Sequence, residues 1–397
     1  MRILFVTPYI PSLVRVRPYN LLHALVQRGH EVTLLALQPP GESDESLPQL
    51  RAWCRAVHIV PLSRTQTLWN GLAALPGTMP IQAAYSRSPE FARVAHDLLQ
   101  RETFDVAHVE HLRGAVLAEA LGDLPVVFDS VDSIALLFEK VLRDAPGLKS
   151  RLIAALDLAR TRRFEGQLTD RFQAVAVTSE ADRQALIASG SAADHILVVR
   201  NGVDLDYFQP LAVARDPQTL VFTGKMSYHA NVAAAQDLVE KIMPLVWAEQ
   251  PATHLQIVGK DPAPVIRVLG EHPNITVTGF VPDMRPYLAG AAVAVSTVRY
   301  GVGIQNKVLE AMAMATPVVC SPQACSALSV RDGDDVLIGD TPEHVARHIL
   351  DLLASSEQRD RLGSAGRHYV EQQHSWDRAA TLLEGLYAQP APIQSLK

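Results

Sequence analysis

One rhythm constrains this chain more than any other feature. Short, mainly apolar runs of three to five residues recur, separated by stretches with helical spacing. Ile3 to Thr7 is the first run, and the turn-forming Pro8-Tyr9-Ile10-Pro11-Ser12 follows it. An apolar stripe at Leu21, Leu22, Leu25 and Val26 then fits a helix, Gly29 stops it, and Val32 to Ala36 is the second run. Val106–Val109, Val126–Asp129 and Ala174–Val177 continue the series. A run without alternation suits a strand buried on both faces, and strands of that kind belong to parallel sheets covered by helices. The pattern restarts near residue 200, with runs at Thr219–Thr223, Leu255–Val258, Ile275–Thr278, Val293–Val295 and Pro317–Cys320. The expected fold class is therefore α/β, with one domain over 1–200 and a second over 201–375. The turn-forming Asn201-Gly202 lies at the boundary. A helix over 376–388 is the last expected element, and the tail 389–397, with two prolines, reads as disordered. A length of 397 residues suits two domains.

Charge narrows the function. Residues 1–200 carry 21 Lys/Arg against 21 Asp/Glu, so the whole formal charge of −6 falls in the C-terminal half. A protein whose main partner is nucleic acid needs a basic face, and that class is set aside. The three cysteines, Cys54, Cys320 and Cys325, fit a reducing compartment rather than a disulfide framework. The opening apolar run is too short for a signal peptide, and no stretch approaches the length of a membrane span. A cytoplasmic location is expected.

Open parallel sheets bind ligands at the carboxyl ends of their strands, so the residues just after each strand are the informative ones. A nicotinamide enzyme would carry Gly-x-Gly-x-x-Gly after its first strand. Here that place has no glycine, and the single Gly-x-Gly, Gly301-Val302-Gly303, has Asn306 at the last glycine position. The densest signal is the stretch from Arg299 to Ala313, where a strand ends, a glycine-containing loop follows and a helical run begins. The first amides of a helix lack partners within it and suit a diphosphate. Glu310 within that helix has the chemistry to accept hydrogen bonds from two ribose hydroxyls. An ion pair with Lys307 is the equal alternative on spacing alone. Gly224-Lys225 follows the strand ending at Thr223 and places a cation where departing phosphate charge would need one, although a solvated lysine is the plainer reading.

Several markers in order carry a resemblance. They are Gly29-His30-Glu31-Val32, Phe104-Asp105-Val106-Ala107-His108-Val109, Val177-Thr178-Ser179-Glu180, Asn201-Gly202-Val203-Asp204, Phe222-Thr223-Gly224-Lys225, Ile257-Val258-Gly259, Thr278-Gly279-Phe280-Val281, and Leu309-Glu310-Ala311-Met312-Ala313 with Pro317-Val318-Val319. Over nearly its whole length the chain resembles the GT-B glycosyltransferases, specifically the retaining group called family 4. The stretch from Gly303 to Met312 is most similar to transferases of bacterial exopolysaccharide assembly. The resemblance implies two Rossmann-like domains with parallel sheets facing across a cleft, and a last helix that returns to the N-terminal domain. It assigns Glu310 to the donor ribose, Lys225 with Gly224 to the diphosphate, and the backbone of Phe280 and Val281 to the base. Gly303, Ile304 and Gln305 fall where backbone amides face the donor, with Asn306 next in the helix start.

Departures from the family pattern matter as well. Val302 stands where the family has a glutamate that touches donor-sugar hydroxyls. Ala230 and Asn231 stand where a second basic residue is usual, which makes Arg299 or Lys307 the candidate substitute. The first loop lacks paired glycines and carries Arg15-Val16-Arg17 on the acceptor side. Glu110 occupies the position of a common histidine and is followed by His111; either could face the reacting sugar. Asp129 and Asp132 line the acceptor side or cap a helix, with equal weight. Asp204-Leu205-Asp206 fits a metal-binding pattern but reads as a turn cap, and no metal or cofactor is expected beyond the nucleotide-sugar co-substrate. The basic, apolar-striped stretch Leu148 to Phe164 reads as a solvated helix face. Its alternative is peripheral contact with the inner face of an anionic membrane carrying a lipid-linked acceptor. The expected activity is retaining transfer of a sugar from a nucleoside-diphosphate donor to a glycan or lipid-linked hydroxyl acceptor. The rivals are a GT-B 2-epimerase and a non-catalytic subunit of a polysaccharide-assembly complex.

Overall fold

The computed structural model describes residues 1–144, 148–299 and 304–389, with the side chains of 144 and 148–150 excepted. Gly303 and the tail beyond Gln389 therefore lie outside the described residues. The chain divides into two compact units, one comprising Met1–Asn201 with Trp376 onward, the other Gly202–Ser375.

The first unit holds seven strands: β1 (Arg2–Thr7), β2 (Glu31–Gln38), β3 (Ala56–Pro61), β4 (Val106–Glu110), β5 (Val126–Val131), β6 (Ala174–Val177) and β7 (Ile196–Val198). They form one sheet in the order β3-β2-β1-β4-β5-β6-β7, and every pairing is parallel. Burial on both faces explains the unbroken apolar runs. Leu4 and Val6 enter the core on one face while Ile3 and Phe5 enter the other, and Phe128 and Val127 divide the same way. The terminal helix Trp376–Tyr387 covers the second face beside the helix Val16–Gln27, burying Trp376, Ala380, Leu383 and Tyr387 against Ile3, Phe5, Leu21 and Leu22. Each large apolar side chain buried there contributes about 1.5–3 kcal/mol. On the rim of this contact Arg28 donates to Glu384 at 2.8 Å and to Asp377 at 2.6 Å.

The second unit holds β8 (Asp216–Thr223), β9 (His254–Val258), β10 (Ile275–Gly279), β11 (Ala291–Ser296), β12 (Val318–Cys320) and β13 (Leu337–Ile338). The order is β10-β9-β8-β11-β12-β13, again all parallel. One continuous core surrounds this sheet, from Leu220 and Phe222 through Val293 and Leu309 to Ile349 and Val370.

Three strands, β3, β7 and β13, have no counterpart among the sequence-derived runs. Each lies at a sheet edge and most of their residues are only half-buried, so the continuous apolar signal of a central strand is missing.

Candidate functional site

Both strand orders reverse direction beside the first strand of the sheet, between β1 and β4 in one unit and between β8 and β11 in the other. Loops leaving the carboxyl ends of those strands diverge there and open a crevice, which is where doubly wound sheets bind ligands.

In the second unit the loops after β8 and β11 supply Gly224, Lys225 and Arg299. Gly224 has φ +149°, and a Cβ there would lie 2.7 Å from the Asn231 amide nitrogen and 3.3 Å from Lys307 Nζ. Gly259, after β9, has φ +153° and lies so close that a Cβ would meet the Gly224 carbonyl oxygen at 1.7 Å. Asn231 is buried, donates from Nδ2 to the Lys225 carbonyl at 3.0 Å and accepts from Lys307 Nζ through Oδ1. Lys307 also lies 5.1 Å above the Phe222 ring. A lysine from the helix Asn306–Ala313 thus reaches the place where the sequence offers only Ala230 and Asn231. Arg299, the other candidate for that role, is paired with Asp237 at 2.6 Å. Lys225 is more than half exposed, with Asp261 at 3.8 Å.

The helix Asn306–Ala313 begins at Gln305 without a side-chain cap, whereas the helices starting after Ser63, Ser88, Ser179 and Thr341 each have one. Among the described residues no side chain caps this amino end, and its partial positive charge suits an anion. Ile304 packs against the core and Asn306 is half-buried. Burial pushes Lys307 down to about 8, partly opposed by Glu310, and pushes Glu310 up to about 7, partly opposed by Lys307. Both groups therefore titrate near neutrality, as ligand-binding ionisable groups often do. Val281 packs on the core while Phe280 is 73% exposed after β10. Asp204 accepts from the amides of Asp206 at 3.1 Å and Tyr207 at 2.9 Å, which makes Asp204-Leu205-Asp206 a turn cap. Among the described residues no group of three His, Cys, Asp or Glu side chains is gathered as a metal site would need.

In the first unit the carboxyl ends of β1, β4 and β5 bring together Tyr9, Glu110, His111 and Asp129. Arg17 and Asp129 are buried and form an ion pair at 2.8 Å; Arg17 also donates to the Val199 carbonyl at 2.9 Å and Asn201 Oδ1 at 2.8 Å. Arg17 thus holds the framework, while Arg15 lies 4.4 Å over the Tyr9 ring and 3.7 Å from Glu42. His108 is buried, stacks on Phe5 and shares a 2.9 Å hydrogen bond with the Tyr387 hydroxyl. Burial lowers its pKa to about 4, so the ring is neutral. Glu110 is buried beside Asp129, and desolvation followed by that neighbouring charge holds its carboxyl well above the usual range. One oxygen faces Tyr9, and Oε2 has no hydrogen-bond partner among the described residues. His111 is lowered to about 4, chiefly by burial and then by Arg113 and Arg15, and its Nδ1 accepts from the Arg113 amide at 3.1 Å. Asp132 accepts from Thr178 at 3.0 Å. His111 and Val131 adopt φ +67° and +64°, a left-handed conformation costly for such residues and characteristic of functional loops.

Sequence reasoning gave no role to Asn231, Tyr9 or Tyr387, and quoted Gly259 only as a marker. Tyr387 and His108 are 279 residues apart, and no local pattern links them. A cleft of about 360 Å³ bordered by Glu119, Pro125, Asp170 and Phe172 opens at the opposite, amino-terminal edge of the first sheet, away from these groups.

Residues 217–355 match the family model described as glycosyl transferases group 1, and residues 14–202 match the glycosyl transferase 4-like domain. The chain is 26% identical over 336 residues to D-inositol 3-phosphate glycosyltransferase of Corynebacterium aurimucosum, covering 73% of each. Among solved structures it is similar to Anabaena HepE in complex with UDP and glucose, with a TM-score of 0.65, 16% identity and coverage of 98% of this chain and 100% of that one. Sucrose-phosphate synthase from Thermosynechococcus elongatus matches with a TM-score of 0.67, 18% identity and 98% of each chain. Two all-parallel sheets with these strand orders, and two family models that between them span most of the sequence, converge on one assignment: the chain belongs to the group 1, family 4 glycosyltransferases of GT-B fold.

Proposed function

We propose that this glycosyltransferase takes a sugar from a nucleoside-diphosphate donor, binds that donor through its second unit, and passes the sugar to a hydroxyl of a glycan or lipid-linked glycan with retention. The observation that carries the reading is the Lys307–Asn231 contact beside Gly224. It sets a second cation next to the Lys225 loop, at the reversal point of the sheet and beside an uncapped helix start. Two lysines and the first amides of a helix suit a diphosphate and would stabilise its charge as the bond between the sugar C1 and the phosphate oxygen breaks. Glu310, on the same helix as Lys307, is assigned to the ribose hydroxyls and the backbone at Phe280–Val281 to the base. Structural neighbours crystallised with UDP make the uridine donor the first to test.

In the first unit Glu110 is preferred over His111 as the group facing the reacting sugar. Its Oε2 has no hydrogen-bond partner among the described residues, whereas the His111 Nδ1 is engaged. The acceptor hydroxyl forms the new bond to C1, and its proton leaves with the departing diphosphate. No divalent metal is assigned to the reaction. The similarity of the Gly303–Met312 stretch to exopolysaccharide transferases supports a product in exopolysaccharide or cell-surface glycan assembly.

Incubation with UDP-, GDP- and ADP-sugars, with release of nucleoside diphosphate followed by chromatography and the released sugar by NMR, tests the reading. Release of nucleoside diphosphate with an initially retained anomer is expected. A C2 epimer of the donor would identify an epimerase instead, and binding without turnover under any acceptor would identify a non-catalytic subunit.

A further inference from the structure

The helix Arg64–Ala74 is turned inside out. Its protein side is made of Asn70, Gly71 and Ala74: Asn70 donates to the carbonyls of Tyr85 and Arg87, and Gly71 sits against the Tyr85 ring. Its large apolar residues face solvent instead, Leu68 at 64%, Trp69 at 70% and Leu72 at 49% exposed, with Leu75 just beyond. The helix Leu148–Glu165 repeats the anomaly. Ala154, Asp157, Thr161 and Phe164 are buried, whereas Leu152, Ile153 and Leu156 are exposed. Arg160 of the second helix donates to the carbonyl of Leu75, the residue that ends the first, and Asp157 accepts at 2.9 Å from the amide of Ile81, in the short helix Ile81–Ala84 that follows it. Leu156 and Leu152 are one and two turns from Arg160 along the same helical stripe, as Leu68 and Leu72 lead to Leu75. The exposed leucines and Trp69 therefore run into one apolar surface, the kind that marks an interaction site.

Charge decides what covers it. The two helices contain six basic residues, Arg64, Lys149, Arg151, Arg160, Arg162 and Arg163, and two acidic ones, Asp157 and Glu165. Both acids are buried, at 1% exposure each, in a chain whose net charge is −6. Glu165 is spent on the Ser133 hydroxyl and the amides of Ile134 and Ala135. The described outer faces of the two helices thus combine exposed Trp and Leu with Arg64, Arg151 and Arg163, which have no ion-pair partner among the described residues, while Arg162 is paired with Glu139 at 2.7 Å. A second copy of the chain would bring this positive surface against itself in a two-fold contact, which like charges oppose. An anionic lipid surface complements both parts: apolar side chains enter the headgroup boundary and arginines meet phosphates. We propose that this surface docks the chain peripherally on an anionic bilayer. Among the described residues no helix is long and apolar enough to cross one.

Co-sedimentation of the full chain with vesicles of phosphatidylcholine, with and without phosphatidylglycerol, tests this without reference to turnover, so its failure leaves the proposed reaction untouched. Binding at low salt should be at least about tenfold tighter to the anionic vesicles, since each Lys or Arg at the surface contributes about a fivefold factor, and should weaken as salt is added. A variant carrying Trp69→Ser, Leu72→Ser and Leu156→Ser should lose binding at every salt concentration. One carrying Arg64→Glu, Arg151→Glu and Arg163→Glu should lose the preference for anionic lipid. The substituted side chains are all exposed, so unchanged thermal unfolding is expected and confirms that the variants fold. Absence of vesicle binding at low salt, binding unaltered in both variants, or a dimer in sedimentation velocity that the serine variant dissolves would overturn the proposal.

Discussion

Replacing Gly259 by alanine should damage nucleotide binding without touching any group that contacts the nucleotide in the account above. A Cβ at this position would lie 1.7 Å from the Gly224 carbonyl oxygen, where real Cβ atoms essentially never come within 3.0 Å, so the loop must retreat by about 1.3 Å. Gly259 also has φ +153°, which an L side chain rarely adopts. Gly224 is fixed by the hydrogen bond its amide donates to the Val258 carbonyl at 3.1 Å, and the next residue, Lys225, by the one its carbonyl accepts from Asn231 at 3.0 Å; a retreat of that size carries both beyond hydrogen-bond range. Asn231 in turn holds Lys307, so both cations shift. Strain of this kind costs about 1–3 kcal/mol of stability, and loss of one charge-assisted contact costs about 1.5–3 kcal/mol of binding. Titration calorimetry should therefore show at least about a tenfold weaker nucleoside diphosphate, with unfolding of the second unit lowered by roughly 4–8 °C for a 2 kcal/mol cost. Gly333→Ala is the control: φ is +81°, yet nothing lies within 4 Å, so it should lose some stability and keep its affinity. Wild-type affinity in Gly259→Ala would refute the chain of contacts from Gly259 through Gly224 and Asn231 to Lys307.

Four further outcomes are expected. Lys307→Met should weaken nucleoside diphosphate by about 1.5–3 kcal/mol. In the unsubstituted protein Lys307 holds its proton below about 8 and loses it above, so affinity should fall as pH rises through 8; proton uptake on binding, read from calorimetry in buffers of different ionisation enthalpy, checks the sign. Arg17→Met leaves Asp129 buried without its cation and should cost about 3–5 kcal/mol in chemical denaturation; a loss below 1 kcal/mol would show that the pair is not structural. Transfer should survive EDTA, and a complete loss restored by manganese or magnesium would contradict the metal-free assignment.

Much of the fold is legible because central strands of a parallel sheet leave an unbroken apolar run, as Leu220-Val221-Phe222 and Val126-Val127-Phe128 do. Three of the four edge strands leave no such trace: Ala56–Pro61, for one, has one buried residue, Val60, and includes His58. At the candidate site, Gly224, Lys225 and Glu310 stand out by their place after a strand or within a helix start. The partnership that organises them does not, since Lys307 and Asn231 are 76 residues apart and meet only once both loops leave the same sheet edge. Arg17 shows the converse. Its position in the first loop suggests an acceptor contact, but the fold directs it inward to Asp129 and the Val199 carbonyl, where its charge holds three segments together. The outward leucines of 148–165 could be read from the sequence as one helix stripe. The inverted helix 64–74 could not, because its polar face bonds to the carbonyls of Tyr85 and Arg87.

The central claim is that the second unit holds a nucleoside diphosphate with its ribose on Glu310, and titration calorimetry of Glu310→Ala tests it most directly. With whichever of UDP, GDP and ADP binds the unsubstituted chain most tightly, the account predicts a loss of about 1–3 kcal/mol, the cost of removing charge-assisted hydrogen bonds to the ribose. Glu310 titrates at about 7 and Lys307 at about 8, so carboxylate and cation coexist near pH 7.5; because Glu310 helps to hold the Lys307 proton, Lys307→Met is titrated alongside to separate a lost ribose contact from a lost cation. Affinity equal to that of the unsubstituted chain, with unchanged unfolding, would contradict the ribose assignment and with it the placement of the donor.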